Sequence, residues 1–127
     1  MNKCLVIIDL QNDYFPGGKM ELAGIEAAVE NAGILLAEFR KKKLPVIHVQ
    51  HICGAMSHMC IDATTRAAFD LGFNCVVAED ACATRDLLFN NKIIKASDVH
   101  ASFMAALSFP YAKVVSTKDV VKDLDIN

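Results

Sequence analysis

No two cysteines stand in a CxxC spacing, no run of like charge exceeds the four residues Arg40 to Lys43, and the apolar run before Asp9 stops after five residues, Cys4 to Ile8. Each absence removes a class of protein. Without paired short spacings, the five cysteines (Cys4, Cys53, Cys60, Cys75 and Cys82) read as thiols rather than as a disulfide frame or a closed zinc site. A net charge of −2, with no basic run longer than Arg40 to Lys43, leaves no extended electrostatic footprint for nucleic acid or an anionic membrane. An apolar run that short is neither a membrane span nor a secretory signal, so a cytoplasmic location is expected. What remains is a 127-residue chain, 54% hydrophobic, long enough to bury a core as one domain over residues 1–127.

The segment HVQHICGAMSHMC, His48 to Cys60, concentrates three of the four histidines and two of the cysteines. A metal site is one reading. Against it, His48 and His51 are three apart on an expected strand and so point to opposite faces. No metal and no cofactor is expected; polar residues at a strand end beside a cleft are the simpler reading.

Strand and helix patterns alternate along the chain, which predicts an open three-layer α/β/α fold, Rossmann-like, with a mostly parallel sheet. KCLVIIDL is a continuous apolar run of the kind buried on both faces of a parallel sheet. Ile25, Ala28, Val29, Ala32, Leu35, Leu36 and Phe39 recur at helical spacing, giving a helix from Gly24 to about Lys43, closed by Pro45. VIHVQHI reads as the second strand. A helix capped by Ser57 then runs to Leu71 and stops at Gly72. NCVVAED reads as the third strand and DACATRDLLFNN as a loop with a short helical piece. Ser97 is expected to cap a helix with Val99, Phe103, Ala106 and Leu107 inward; AKVVST and TKDVVKDLD follow as a strand and a short helix.

Open parallel sheets bind ligands beyond the carboxyl ends of their strands. That rule selects Asp9, Gln11 and Asp13, then Gly54 to Cys60, then Asp80 to Arg85. With Ser57 as cap, Cys60 falls in the first turn of a helix, where free N–H groups and the positive end of the dipole favour a thiolate. A carboxylate able to take the thiol proton completes a nucleophile and base, and Asp9 is the candidate. A cysteine in that place also serves as a small packing residue, and an aspartate after a strand as a turn residue. Spacing alone does not decide between these. Cys4 and Cys75 read as core, Cys82 as an exposed loop residue, and His100 as a local hydrogen-bonding residue of its helix.

VIIDLQNDYFPGG, GAMSHMCIDATTRAAFDLGF, VVAEDACATRD and DVHASFMAALSFPYAKVVST together resemble the isochorismatase-like cysteine hydrolases, the superfamily that includes nicotinamidases and related amidases. The likeness covers nearly the whole chain. It implies a thiol attacking the amide carbonyl of a small molecule, release of ammonia or an amine, and hydrolysis of the thioester by water. Asp9 matches the family's catalytic aspartate and Cys60 its nucleophile. The backbone N–H groups of Met56 and Cys60 match the oxyanion hole, and the Ala55–Met56 peptide a cis bond. Gln11 and Tyr14 fall near the pocket mouth, with substrate contact and packing both open for Tyr14. Relatives commonly self-associate, so a homo-oligomer is expected.

One departure stands out. In the family, the strand matching VIHVQHI is followed by a lid-like stretch, a strand bearing a catalytic lysine, a helix and a further strand. Here only Ile52 and Cys53 separate His51 from Gly54. Lys19, Lys92, Lys95 and Lys113 fall at none of the matching positions, so the role passes to no residue. The family's sheet order is 3-2-1-4-5-6, and a single strand, Val46 to Cys53, is left to serve as both the second and the fourth. These features imply an internal deletion near Ile52, with activity impaired. The competing reading is an inactive truncated paralogue serving as a binding or oligomerisation domain. Isochorismatase proper, an ether hydrolase, is a lesser alternative, because Cys60 favours amide chemistry.

Overall fold

A computed structural model describes residues 3–49 and 56–125. Its elements run β1 (Leu5–Ile8), α1 (Ile25–Lys41), β2 (Val46–Val49), a π-helical turn (Ser57–Ile61) leading into α2 (Asp62–Asp70), β3 (Cys75–Ala78), β4 (Leu87–Phe89), β5 (Lys92–Ile94), α3 (Ala96–Leu107), β6 (Ala112–Val115) and α4 (Thr117–Asp125). This is an α/β fold with mostly parallel strand pairing. Among the described residues the strands form three two-stranded ladders: β1 with β2 and β3 with β6, both parallel, and β4 with β5, antiparallel.

The first ladder follows from its sequence. Leu5, Val6, Ile7 and Ile8 pair in register with Val46, Ile47, His48 and Val49. α1 lies against it, burying Ile25, Ala28, Ala32, Leu35 and Phe39 on the expected stripe. Burial on both faces of β1 does not hold, because Val6 is 42% exposed and its register partner Ile47 is 51% exposed. Among the described residues, only the Ile7 side has a helix over it. Cys4, expected in the core, is exposed for the same reason.

The second ladder carries its own core. Val77 of β3 packs with Met104 and Leu107 of α3, and Ile61, Tyr111 and Val114 close around them. α2 ends in paired backbone bonds, Gly72 N–H to the Phe69 carbonyl and Phe73 N–H to the Ala68 carbonyl, with Gly72 at φ +85°. Only glycine adopts that left-handed geometry without a Cβ penalty, which is why the helix stops where the sequence says.

Three local expectations need correcting. The stretch after β3 is not a loop with a helical piece alone; a 3₁₀ turn, Glu79–Ala81, is followed by the β4–β5 hairpin. Its two-residue turn is Asn90–Asn91, both at positive φ (48° and 60°), the geometry that suits the right-handed twist of a tight hairpin. Ser97 does not cap α3. The cap position is Lys95, and Asp86 of the preceding segment accepts from the Ala96 N–H at 2.8 Å. Ala106 is exposed rather than inward, and Met104 takes the buried place.

Candidate active site

Asp9 leaves β1 in the left-handed region at φ +55°, a conformation that costs a non-glycine residue of order 1–3 kcal/mol and persists only where the surroundings hold it. Its N–H is bonded to the Val49 carbonyl, so the strand pairing itself pins the residue. The side chain is buried, 3% exposed, and Oδ2 accepts from the Tyr14 hydroxyl at 2.8 Å and from Gln11 Nε2 at 3.2 Å. Gln11 Nε2 also donates to the Tyr14 oxygen. Charge-assisted bonds of this type keep a buried carboxylate in place.

Tyr14 is brought there by a compact loop. Its N–H bonds to the Gln11 carbonyl, Met20 N–H returns to the Asp13 carbonyl, and Gly18 closes on Asp13 so tightly that a Cβ would lie 2.3 Å from the Asp13 oxygen. Tyr14 is wholly buried, packed with Leu22, Ile25, Ala28, Met56 and Ala83. Of the two roles open to Tyr14, burial favours packing: it supports Asp9 from below. Gln11 stays partly exposed.

That same cluster reaches the turn that carries Cys60. Met56 is 1% exposed, forms an isolated parallel bridge with Ala83, and accepts from the N–H groups of Met59 and Ile61. The bond from Ile61 spans five residues and makes the turn π-helical, a geometry that recurs at functional sites. Ser57 is therefore not an N-cap. It is fully buried, its N–H and Oγ both donate to the Ala83 carbonyl (2.9 and 3.1 Å), and its Oγ lies 2.9 Å from His100 Nδ1. A buried hydroxyl turns to interior acceptors rather than to the helix end. Cys60 is half-buried. His100 corrects the sequence reading in turn: its partner is on a different element, not in its own helix. His51, Cys53 and the Ala55–Met56 peptide lie outside the described residues.

The remaining candidates have other work. Asp80 accepts from both the N–H and the hydroxyl of Thr117 at 2.7 Å, tying the end of β3 to the start of α4. Cys82 is not an exposed spectator: burial, with Asp80 and Glu79 nearby, pushes its thiol up to about 12, far from a thiolate. His58 lies 2.6 Å from the Thr84 hydroxyl, and burial, aided by Arg85, holds its ring below the ordinary 6.5. Lys95 and Lys113 pair with Asp86 and Asp123 on the surface. Among the described residues no group of three or more His, Cys, Asp or Glu could hold a metal ion, and no helix is long and apolar enough to cross a membrane. A cavity of about 380 Å³ between α1 and the first ladder is lined by Asp9, His48 and apolar residues, and Cys60 is not part of its wall.

These features define a class: an α/β protein with a buried carboxylate at the end of β1 and a half-buried thiol in a π-helical turn, whose neighbours Tyr14 and Met56 share one hydrophobic cluster. Comparison with known proteins narrows it. The family profile described as isochorismatase domain matches residues 3–52 and 51–119. The uncharacterized isochorismatase family protein YddQ of Bacillus subtilis is 37% identical, with 96% of this chain and all of YddQ aligned. A crystal structure from Oleispira antarctica, provisionally described as an isochorismatase hydrolase, superposes with a TM-score of 0.87 at 38% identity, over 94% of this chain and 95% of that one. An isochorismatase structure from Pseudomonas putida gives 0.85 at 27% identity, over 91% and 88%. A cysteine hydrolase from Pseudomonas syringae, at 13% identity and a TM-score of 0.89 over 97% and 92%, shares the fold. The chain belongs to the isochorismatase family of hydrolases.

The match also bears on the gap. The profile aligns in two pieces that meet at residues 51–52, and the YddQ alignment runs over 180 positions, more than the 127 residues present here. YddQ thus has residues that this chain lacks, and the profile breaks at residues 51–52, beside the junction near Ile52 where the sequence resemblance implies a deletion.

Proposed function

We propose that the chain is a cysteine hydrolase that cleaves a carbon–nitrogen bond of a small amide, with Cys60 as nucleophile and Asp9 as base. Asp9 takes the thiol proton. The sulfur attacks the carbonyl carbon and forms the C–S bond, and the C–N bond breaks as the amine leaves with the proton from Asp9. Water gives a proton to Asp9 as its oxygen attacks the thioester carbonyl; the C–S bond breaks, the acid is released, and the proton passes from Asp9 to the sulfur to restore the thiol. The N–H groups of Met56 and Cys60 are the oxyanion donors in this reading, which asks them to face the developing negative charge. The observation that carries it is the buried, strained Asp9, held by Tyr14 in the cluster that also seats Met56 at the head of the Cys60 turn. The test is ammonia release from a panel of small primary amides. Activity that disappears in both Cys60→Ala and Asp9→Ala supports the reading; activity that survives Cys60→Ala removes it.

A second reading has its own support. Two separate parallel ladders, with Val6, Ile47 and Val76 exposed on their strands, suit a shortened paralogue that binds or self-associates without turning over substrate. No ammonia release from any amide, together with a stable dimer or larger assembly, favours it.

A further inference from the structure

One stripe of α3 seats the whole Cys60 turn. His100, Phe103, Met104 and Leu107 recur at three and four residues and so share one face of the helix. Each meets the other wall at a successive level. His100 Nδ1 lies 2.9 Å from Ser57 Oγ, the Phe103 ring meets the His58 ring edge-on at 6.0 Å, and Met104 and Leu107 pack with Ile61. Three of the four contacts are apolar or aromatic. The fourth is a polar ring beside a serine with no solvent exposure, at the residue where the turn begins.

Packing alone does not call for a histidine at that level, because a leucine fills a similar space without an imidazole to satisfy. The hydrogen bonds give a reason. Ser57 Oγ has one proton and two neighbours, the Ala83 carbonyl and His100 Nδ1. Both contacts are bonds only when Ser57 donates to the carbonyl and Nδ1–H donates to Ser57. The serine is then fixed in rotation and in depth, from the strand side by Ala83 and from the helix side by His100. On the far side of the ring, Nε2 stands 3.7 Å from Glu79, in the wall of a cavity of about 350 Å³ at the carboxyl end of β3.

We infer that His100 is a positioning residue for the reaction: through Ser57 it sets the pitch of the π-helical turn and so the direction in which Cys60 presents its sulfur. This rests on Cys60 being the nucleophile. The effect passes through the serine hydroxyl, so a side chain that restores an N–H at the place of Nδ1 restores the function, and an apolar side chain of similar size does not. Asparagine meets the first condition and leucine the second.

The test is the rate at which iodoacetamide alkylates Cys60 at neutral pH, read peptide by peptide with exposed Cys4 as the internal reference. His100→Leu is expected to slow Cys60 roughly tenfold or more while leaving Cys4 unchanged, His100→Asn to stay within about threefold of the parent, and Ser57→Ala to match His100→Leu. The double variant is expected to be no slower than either single one, since both remove the same link. A His100→Leu rate within about twofold of the parent, or an Asn variant as slow as the Leu variant, overturns the inference while leaving the nucleophile in place. Should His100→Leu fail to fold, Ser57→Ala and His100→Asn decide on the same readout. If Cys60 in the parent chain reacts no faster than Cys4, it is the reading of the nucleophile that fails, and the parent arm alone shows it.

Discussion

Ser57 is buried and His58 partly so, bonded to Ala83, Thr84 and His100, whereas the β1–β2 ladder leaves Val6 and Ile47 half in water on the face away from α1. Both regions descend from the same family design, and the profile break at residues 51–52 falls between them. The turn keeps its neighbours because they come from the carboxyl-terminal half, from the segment after β3 and from α3. Among the described residues, the ladder has α1 on one face and leaves Val6 and Ile47 uncovered on the other. The seating of the Cys60 turn is thus more complete than the cover of the first ladder.

The largest effect expected concerns that gap. Inserting at the 51–52 junction a lysine-bearing strand and helix of the kind the family resemblance implies should raise amide hydrolysis by orders of magnitude, measured as ammonia release, because it joins the two ladders and supplies the lysine. No gain from the graft says that the ladders already form a complete site. Next, Leu107→Ala, at a fully buried position beneath the Cys60 turn, should cost about 2–5 kcal/mol in urea unfolding, while Val6→Ala should cost below about 1 kcal/mol. Equal costs would erase the contrast between the two regions.

Tyr14→Phe should cost about 1–3 kcal/mol in the same measurement, since it removes a donor from the buried Asp9 carboxylate without changing the ring's packing. Ile47→Lys should shift the sedimentation profile toward smaller species; an unchanged profile means that this face is solvated as it stands. The smallest effect is electrostatic. Burial and Arg85 hold the folded His58 below 6.5, so the folded chain binds fewer protons than the unfolded one in that range and stability rises with pH. Thermal midpoints between about pH 5.5 and about pH 7.5 should therefore rise more steeply for the parent than for His58→Gln. Parallel slopes would mean that His58 is solvated.

Periodicity was enough to read α1, the end of α2 at Gly72, the first and last strands and α4, because each rests on local spacing or on one residue with special backbone freedom. What it could not supply were partners. Ser57 and Ser97 both look like caps from their neighbours in sequence, yet Ser57 is claimed by Ala83 and His100, and the first N–H of α3 by Asp86. The β4–β5 hairpin left one legible sign, the Asn90–Asn91 pair, since asparagine tolerates left-handed backbone. Cys4 and Cys82 came out reversed because burial depends on which strand faces retain a cover. For the candidate site, position and motif singled out Asp9 and Cys60 as candidates, while the bond from Tyr14 to Asp9 and the contact of Ser57 with His100 exist only in three dimensions.

The central claim is that Asp9 readies the Cys60 sulfur, and differential alkylation tests it most directly. With limiting iodoacetamide at neutral pH, followed by peptide mass spectrometry, Cys60 should be modified first among the cysteines, with Cys82 untouched, and that preference should vanish in Asp9→Ala. Uniform slow labelling of the accessible cysteines, or a Cys60 rate indifferent to Asp9, would contradict the account.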